Sequence, residues 1–88
     1  MTYDVIRTHK FDKALSKLDR HVQRRILVKL YGLCTLEDPS VRCKPMTGPL
    51  EGLWHIRTGD YRTIIDMRRG ELAIVALDTD HRSAIYEG

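Results

Sequence analysis

Several kinds of protein are excluded by what this chain lacks. Its 88 residues hold no long apolar run, so no transmembrane span is available. No basic-then-apolar targeting segment precedes the strand-like opening Thr2-Tyr3-Asp4-Val5, and the expectation is a soluble cytoplasmic protein. Cysteine is scarce. Cys34 and Cys43 flank a loop-like stretch without forming a C-x-x-C pair, too few for the disulfide framework of a small secreted domain. His9, His21, His55 and His81 are scattered and lack the spacing of a zinc site. Reduced thiols, no bound metal and no cofactor are therefore expected. There is no internal repeat and no low-complexity tract. A chain of this length has room for one domain, residues 1–88, and must place its apolar residues on one face of each element.

Positive charge is plentiful and uneven. The formal net charge is +3, but residues 1–34 carry eight basic and three acidic side chains, whereas residues 35–88 carry seven and nine. A basic helical region suits a phosphate backbone or an acidic protein partner, and equally an ordinary solvated helix face.

The apolar spacing gives the elements. Tyr3-Asp4-Val5-Ile6-Arg7 alternates as a first strand, with Tyr3, Val5 and Arg7 on one side. Thr8 is placed to cap a short helix whose face is Phe11, Ala14, Leu15 and Leu18. Asp19 is expected to cap a longer helix with the buried stripe Val22, Ile26, Leu30 and Leu33, making a hairpin with its corner near Leu18-Asp19. Leu27, Val28 and Tyr31 broaden that apolar face, either as a wide core contact or as a docking surface. Gly32 weakens the last turns and Asp38-Pro39 ends the helix.

Residues 38–52, with Pro39, Pro45, Gly48, Pro49 and Gly52, read as a loop. From Leu53 the period becomes two. Leu53–Arg57, Tyr61–Met67 and Glu71–Asp78 are expected strands, joined by Thr58-Gly59-Asp60 and Arg68-Arg69-Gly70. Residues 72–77 are apolar on both faces, as in a central strand. The fold class is α+β: an N-terminal strand and a helical hairpin packed on one face of a mostly antiparallel four-stranded sheet, in the order β-α-α-β-β-β.

With helices on one sheet face, chemistry belongs on the other. Alternation sends His55 and Arg57 to one side of their strand, and Arg62 and Ile64 to one side of the next. A hairpin can bring His55, Arg57 and Arg62 together. Two arginines on adjacent strands repel unless an anion lies between them, which suits a phosphodiester held bidentately. The alternative pairs them with Asp60, Asp66 or Asp78 as surface ion pairs. The tail Asp80-His81-Arg82-Ser83-Ala84-Ile85-Tyr86 adds a proton-exchanging histidine, a phosphate-holding arginine and a tyrosine able to stack on a base. Beside Arg57 and Arg62 these make a metal-free RNA-cleaving set, with the 2′-hydroxyl as nucleophile. The sequence offers no cluster of acidic residues for a two-metal site.

The run Gly52-Leu53-Trp54-His55-Ile56-Arg57-Thr58-Gly59-Asp60-Tyr61-Arg62 resembles the G-x-W-R-x-R-x-G-D-Y-R core of the RelE/ParE toxin superfamily, and His81-Arg82-Ser83-Ala84-Ile85-Tyr86 resembles its H-R-x-x-(I/V)-Y ending. Length and element order agree over the whole chain. The resemblance implies a RelE-like fold and the toxin of a type II toxin–antitoxin system that cleaves mRNA in the ribosomal A site. It also implies a small acidic RelB-like antitoxin as partner, with operator DNA reached only through that antitoxin. By position it implies Arg57, Arg62, Arg82 and Tyr86 as active-site residues, with Arg62 on the pentavalent transition state. Arg82 would hold the phosphate or leaving-group side, Tyr86 would stack on a base or act as base, and His81 would transfer a proton. His55 stands where the family usually has Arg or Lys, as an RNA contact or an acid/base group. Lys44, in the loop, either contacts RNA or is simply solvated. Thr79-Asp80 departs from the small apolar residue and Gly of many relatives, and Asp80 can partly neutralise Arg82. The superfamily allows two further readings: a ParE-type inhibitor of DNA gyrase, and a catalytically weak member serving as corepressor.

Overall fold

In the computed structural model, which describes residues 2–81, strand β1 (Asp4–Arg7) leads into helices α1 (His9–Ser16) and α2 (Arg20–Gly32). Four more strands follow: β2 (Lys44–Pro45), β3 (Trp54–Thr58), β4 (Tyr61–Arg68) and β5 (Ala73–His81). They form one sheet in the order β1-β5-β4-β3-β2, with β1 parallel to β5 and every other neighbour antiparallel. The class is the expected α+β. The sheet has five strands because Lys44-Pro45, inside the expected loop, pairs with His55 and Trp54. Proline can close a sheet in this way because an edge strand needs no amide donor on its outer side.

Thr8 starts α1 as expected. Its hydroxyl accepts the Phe11 N–H at 3.1 Å and donates to the Ala76 carbonyl of β5 at 2.8 Å, so one side chain caps the helix and ties it to the sheet. Thr8→Ala removes both bonds. A lost cap typically costs about 1 kcal/mol and a further net hydrogen bond about 1 kcal/mol. Urea unfolding should therefore show Thr8→Ala less stable by about 2 kcal/mol, with Thr8→Ser near wild type.

Asp19 occupies the cap position of α2 but makes no side-chain cap bond. Instead Gln23 reaches back and donates Nε2 to the Leu18 carbonyl at 2.8 Å, closing the hairpin corner. The α-helix stops at Gly32, well before Pro39, and tightens into a 3-10 turn over Leu33–Thr35. Asp38 caps the next turn, accepting from the Ser40 amide at 3.1 Å and its hydroxyl at 2.7 Å.

The core lies between the helices and the sheet. Phe11 and Leu15 of α1 and Ile26 and Leu30 of α2 pack with Leu33 on Ile56, Ile65, Ile74 and Ala76. Val22 and Leu27 are partly buried against this cluster, while Val28 and Tyr31 are exposed. The broad apolar face of α2 is thus divided between core and surface. Cys34 and Cys43 are free thiols. Burial, with the Asp38 charge, pushes Cys43 up to about 11.

Two departures from simple alternation shape the sheet. The β4–β5 loop takes its left-handed residue at Leu72, φ 50°, not at Gly70. In β5 the register passes from Ile65↔Ala76 to Ile64↔Asp78, leaving Leu77 as a bulge. An extra residue reverses which side chains face each side. Without it Asp78 would pair with Thr63 on the core side. With it Thr79 lies there, 1% exposed, its hydroxyl 3.1 Å from the Thr63 hydroxyl. A hydrogen-bonded hydroxyl is far cheaper to bury than a carboxylate.

Candidate functional site

The strand register gathers a cationic row on the face away from the core. Arg57 stands directly opposite Arg62 across β3 and β4. His55 stands opposite Ile64, and β2 sets Lys44 opposite His55. Directly opposed residues share a sheet face, and so do residues two apart, which brings Lys44, His55, Arg57 and Arg62 onto one side. Ile56 and Thr63, which alternate with them, are buried on the helix side.

The arginine pair is of the closer kind. The Arg57 carbonyl accepts from Lys29 Nζ at 2.8 Å, and the Arg62 carbonyl accepts from the Thr79 hydroxyl of β5 at 3.1 Å. Each carbonyl therefore points away from the other arginine's strand. In an antiparallel ladder this marks a non-hydrogen-bonded pair, with Cα atoms about 4.5 Å apart where the alternate pair has about 5.5 Å. Two like charges that close are unfavourable unless an anion lies between them.

The ion-pair alternative is not realised for Arg57, which has no carboxylate within ion-pair distance among the described residues. Asp66 is instead bonded to Arg68 at 3.0 Å, and Asp78 lies 3.6 Å from Lys10. Asp80 stands opposite Arg62 in the β4–β5 register, and its Oδ1 accepts the His81 N–H at 2.8 Å.

Two expected members are placed differently. His55 is on the cationic face but only 9% exposed, so it is not presented as an RNA contact. Of the four cationic-row residues Lys44 and Arg57 are exposed and Arg62 is half-buried, and the exposed Asp80 stands opposite Arg62. His81 pairs with Tyr61, and the two rings meet edge-on with centroids 5.5 Å apart. Tyr61 and Arg62 are consecutive in β4 and point to opposite faces, so His81 is on the side away from the arginines. The Leu77 bulge causes this, since it fixes which face every later residue of β5 takes. Arg82 and Tyr86 lie outside the described residues.

Lys29 and Thr79 were not legible as contributors. Lys29 is one of several α2 cations, and nothing local relates it to the Arg57 carbonyl. Thr79 reaches Arg62 only through the bulged register. Among the described residues, no three His, Cys, Asp or Glu side chains are grouped to hold a metal ion. No helix among them is long and apolar enough to cross a membrane. A separate shallow groove on α2 is lined by Arg20, Gln23, Arg24, Leu27, Val28 and Tyr31. Val28 is 66% and Tyr31 46% exposed there, so the groove combines apolar floor with cationic rim.

A family described as the ParE toxin of type II toxin–antitoxin system, parDE, matches residues 5–86. Comparison with curated proteins by sequence gives no match. Among solved structures, the chain is similar to the toxin–antitoxin complex RelBE2 from Mycobacterium tuberculosis, with 26% identity, 94% of each chain covered and a TM-score of 0.83. It is also similar to the archaeal RelE–RelB complex from Pyrococcus horikoshii, with 30% identity, 97% of this chain and 100% of that chain covered, and a TM-score of 0.72. A mutant of the E. coli toxin RelE in the free state shares the fold at 17% identity, covering 96% of this chain and 87% of that one, with a TM-score of 0.73. By the family match and this likeness, the chain belongs to the RelE/ParE superfamily of type II toxin–antitoxin toxins.

Proposed function

We propose that this toxin is a ribosome-dependent, metal-independent mRNA endoribonuclease that inhibits translation in the cytoplasm. The observation that carries the reading is the closely spaced Arg57–Arg62 pair, with no carboxylate on Arg57 among the described residues. Two planar guanidinium groups on adjacent strands can bind the oxygens of one phosphodiester in a fixed geometry. The RNA 2′-hydroxyl attacks the adjacent phosphorus and the bond to the 5′-oxygen breaks. The products are a 2′,3′-cyclic phosphate and a 5′-hydroxyl. Arg57 and Arg62 hold the non-bridging oxygens, and Arg62 carries the extra charge of the phosphorane. Lys44 contacts the RNA strand from the edge of the same face. Arg82 holds the leaving-group side and Tyr86 stacks on a base or removes the 2′-proton. His81, the candidate for proton transfer, lies on the Tyr61 side of the sheet, away from Arg57 and Arg62.

The partners are the ribosome with its mRNA and a small acidic RelB-like antitoxin, with operator DNA reached only through the antitoxin. The α2 groove, apolar at Val28 and Tyr31 and cationic at Arg20 and Arg24, suits an acidic amphipathic segment of that antitoxin.

The match of residues 5–86 to the ParE description favours a second reading, inhibition of DNA gyrase. One pair of assays separates the two. The expected result is cleavage of mRNA in a reconstituted translation reaction, with cyclic or 3′-phosphate ends and normal gyrase supercoiling. Intact mRNA with blocked supercoiling would replace this reading by the ParE one.

A further inference from the structure

The spacing of the arginine pair depends on what holds β3, and the sheet holds it on one side only. β2 pairs with Trp54 and His55 and then ends, so among the described residues Ile56, Arg57 and Thr58 have no strand on their outer side. A terminal strand segment paired on one edge is free to twist away from its neighbour. Here the vacant ladder position is taken by a side chain: Lys29 Nζ donates to the Arg57 carbonyl at 2.8 Å. The neighbouring turn is held from the same helix. At Gly59, φ +60°, a β-carbon would lie 3.3 Å from the Arg25 guanidinium, so Arg25 packs directly on the β3–β4 turn. The backbone that carries Lys29 is anchored, because the next residue, Leu30, is fully buried in the core, while the Lys29 side chain runs over the surface to the Arg57 carbonyl.

We propose that Lys29 is a positioning residue for the arginine pair, acting from α2 through the Arg57 carbonyl to set the separation of Arg57 and Arg62. This rests on the nuclease reading for its consequence in catalysis, but not for its geometry. Two donors built for a phosphorane must be held within a fraction of an ångström to act together, and misplacement by about 1 Å costs on the order of 100-fold in rate. Lys29 is exposed, as are Lys13 in α1 and Lys17 at its C-cap, but it bonds to the hairpin carrying the pair, which those two do not.

The test compares Lys29→Met with Lys29→Arg in the full-length toxin. Methionine keeps the length of the stem and matches lysine in helix propensity, so the helix is preserved while the donor is lost. With programmed ribosomes, Lys29→Met should lower kcat about tenfold or more with KM unchanged, and Lys29→Arg should recover most of it. A raised KM with unchanged kcat would make Lys29 an RNA-facing charge and overturn the proposal. So would a lowered melting temperature with unchanged kcat. If the wild-type toxin cleaves no mRNA, the nuclease reading fails and the geometry is judged by NMR. The Arg57 amide and Nε–H resonances should then shift in Lys29→Met and return in Lys29→Arg, and resonances unmoved by Lys29→Met would reject the positioning role.

Discussion

Replacing Arg62 by alanine is expected to lower the single-turnover rate of mRNA cleavage on the order of 100-fold or more, while leaving the fold intact. The guanidinium matters most when negative charge builds on the phosphorane, so its loss weakens transition-state binding more than ground-state binding. The effect should therefore fall on kcat. Stability should change little, because Arg62 is half-buried near the end of a strand whose pairing on both sides is made by backbone bonds. The Thr79 hydroxyl bonds to the Arg62 carbonyl, and that bond survives the substitution. The competing account makes Arg62 a structural cation. Under it Arg62→Ala would lower the melting temperature and leave cleavage near wild type, and that outcome would remove Arg62 from the chemistry. Lys17→Ala, out on the first helix-to-helix corner, is the matching control and should change cleavage little.

Truncating the core beneath the site should have the largest effect on stability. Leu30 is 0% exposed and lies one residue from Lys29, between α2 and the sheet. Leu30→Ala removes buried methyl groups and leaves a cavity that the packed helix cannot fill, at a cost of about 2–5 kcal/mol. Domains of this kind have roughly 5–15 kcal/mol in total, and each 1 kcal/mol moves Tm by about 4–8 °C. A fall of about 10 °C or more is expected by calorimetry or circular dichroism. Val28→Ala, two residues away and 66% exposed, should stay within about 0.5 kcal/mol of wild type. Equal behaviour of the two variants would show that α2 does not pack by the Ile26–Leu30 stripe.

The amino-acid sequence determined whatever rests on local periodicity. The apolar steps Phe11, Leu15 and Ile26, Leu30 mark the buried helix faces, because 3.6 residues per turn is a property of the helix itself. Thr8 was legible as a cap, since its hydroxyl needs only the amides of its own first turn. Period two likewise put His55 with Arg57, and Arg62 with Ile64, before any pairing was known. What the sequence could not decide was everything that depends on which strand pairs with which, and in what register. Lys44-Pro45 became a fifth strand only because His55 and Trp54 offered an edge. The Leu77 bulge, a single unpaired residue, exchanged Asp78 for Thr79 on the core side and carried His81 away from the arginines. His55 was buried, and the Arg57 carbonyl was given to Lys29, a residue 28 positions earlier in the chain. Side-chain direction along a strand is set by the backbone of that strand. Burial, register and the partner of an edge carbonyl are set by segments distant in sequence, so only the tertiary structure could assign them.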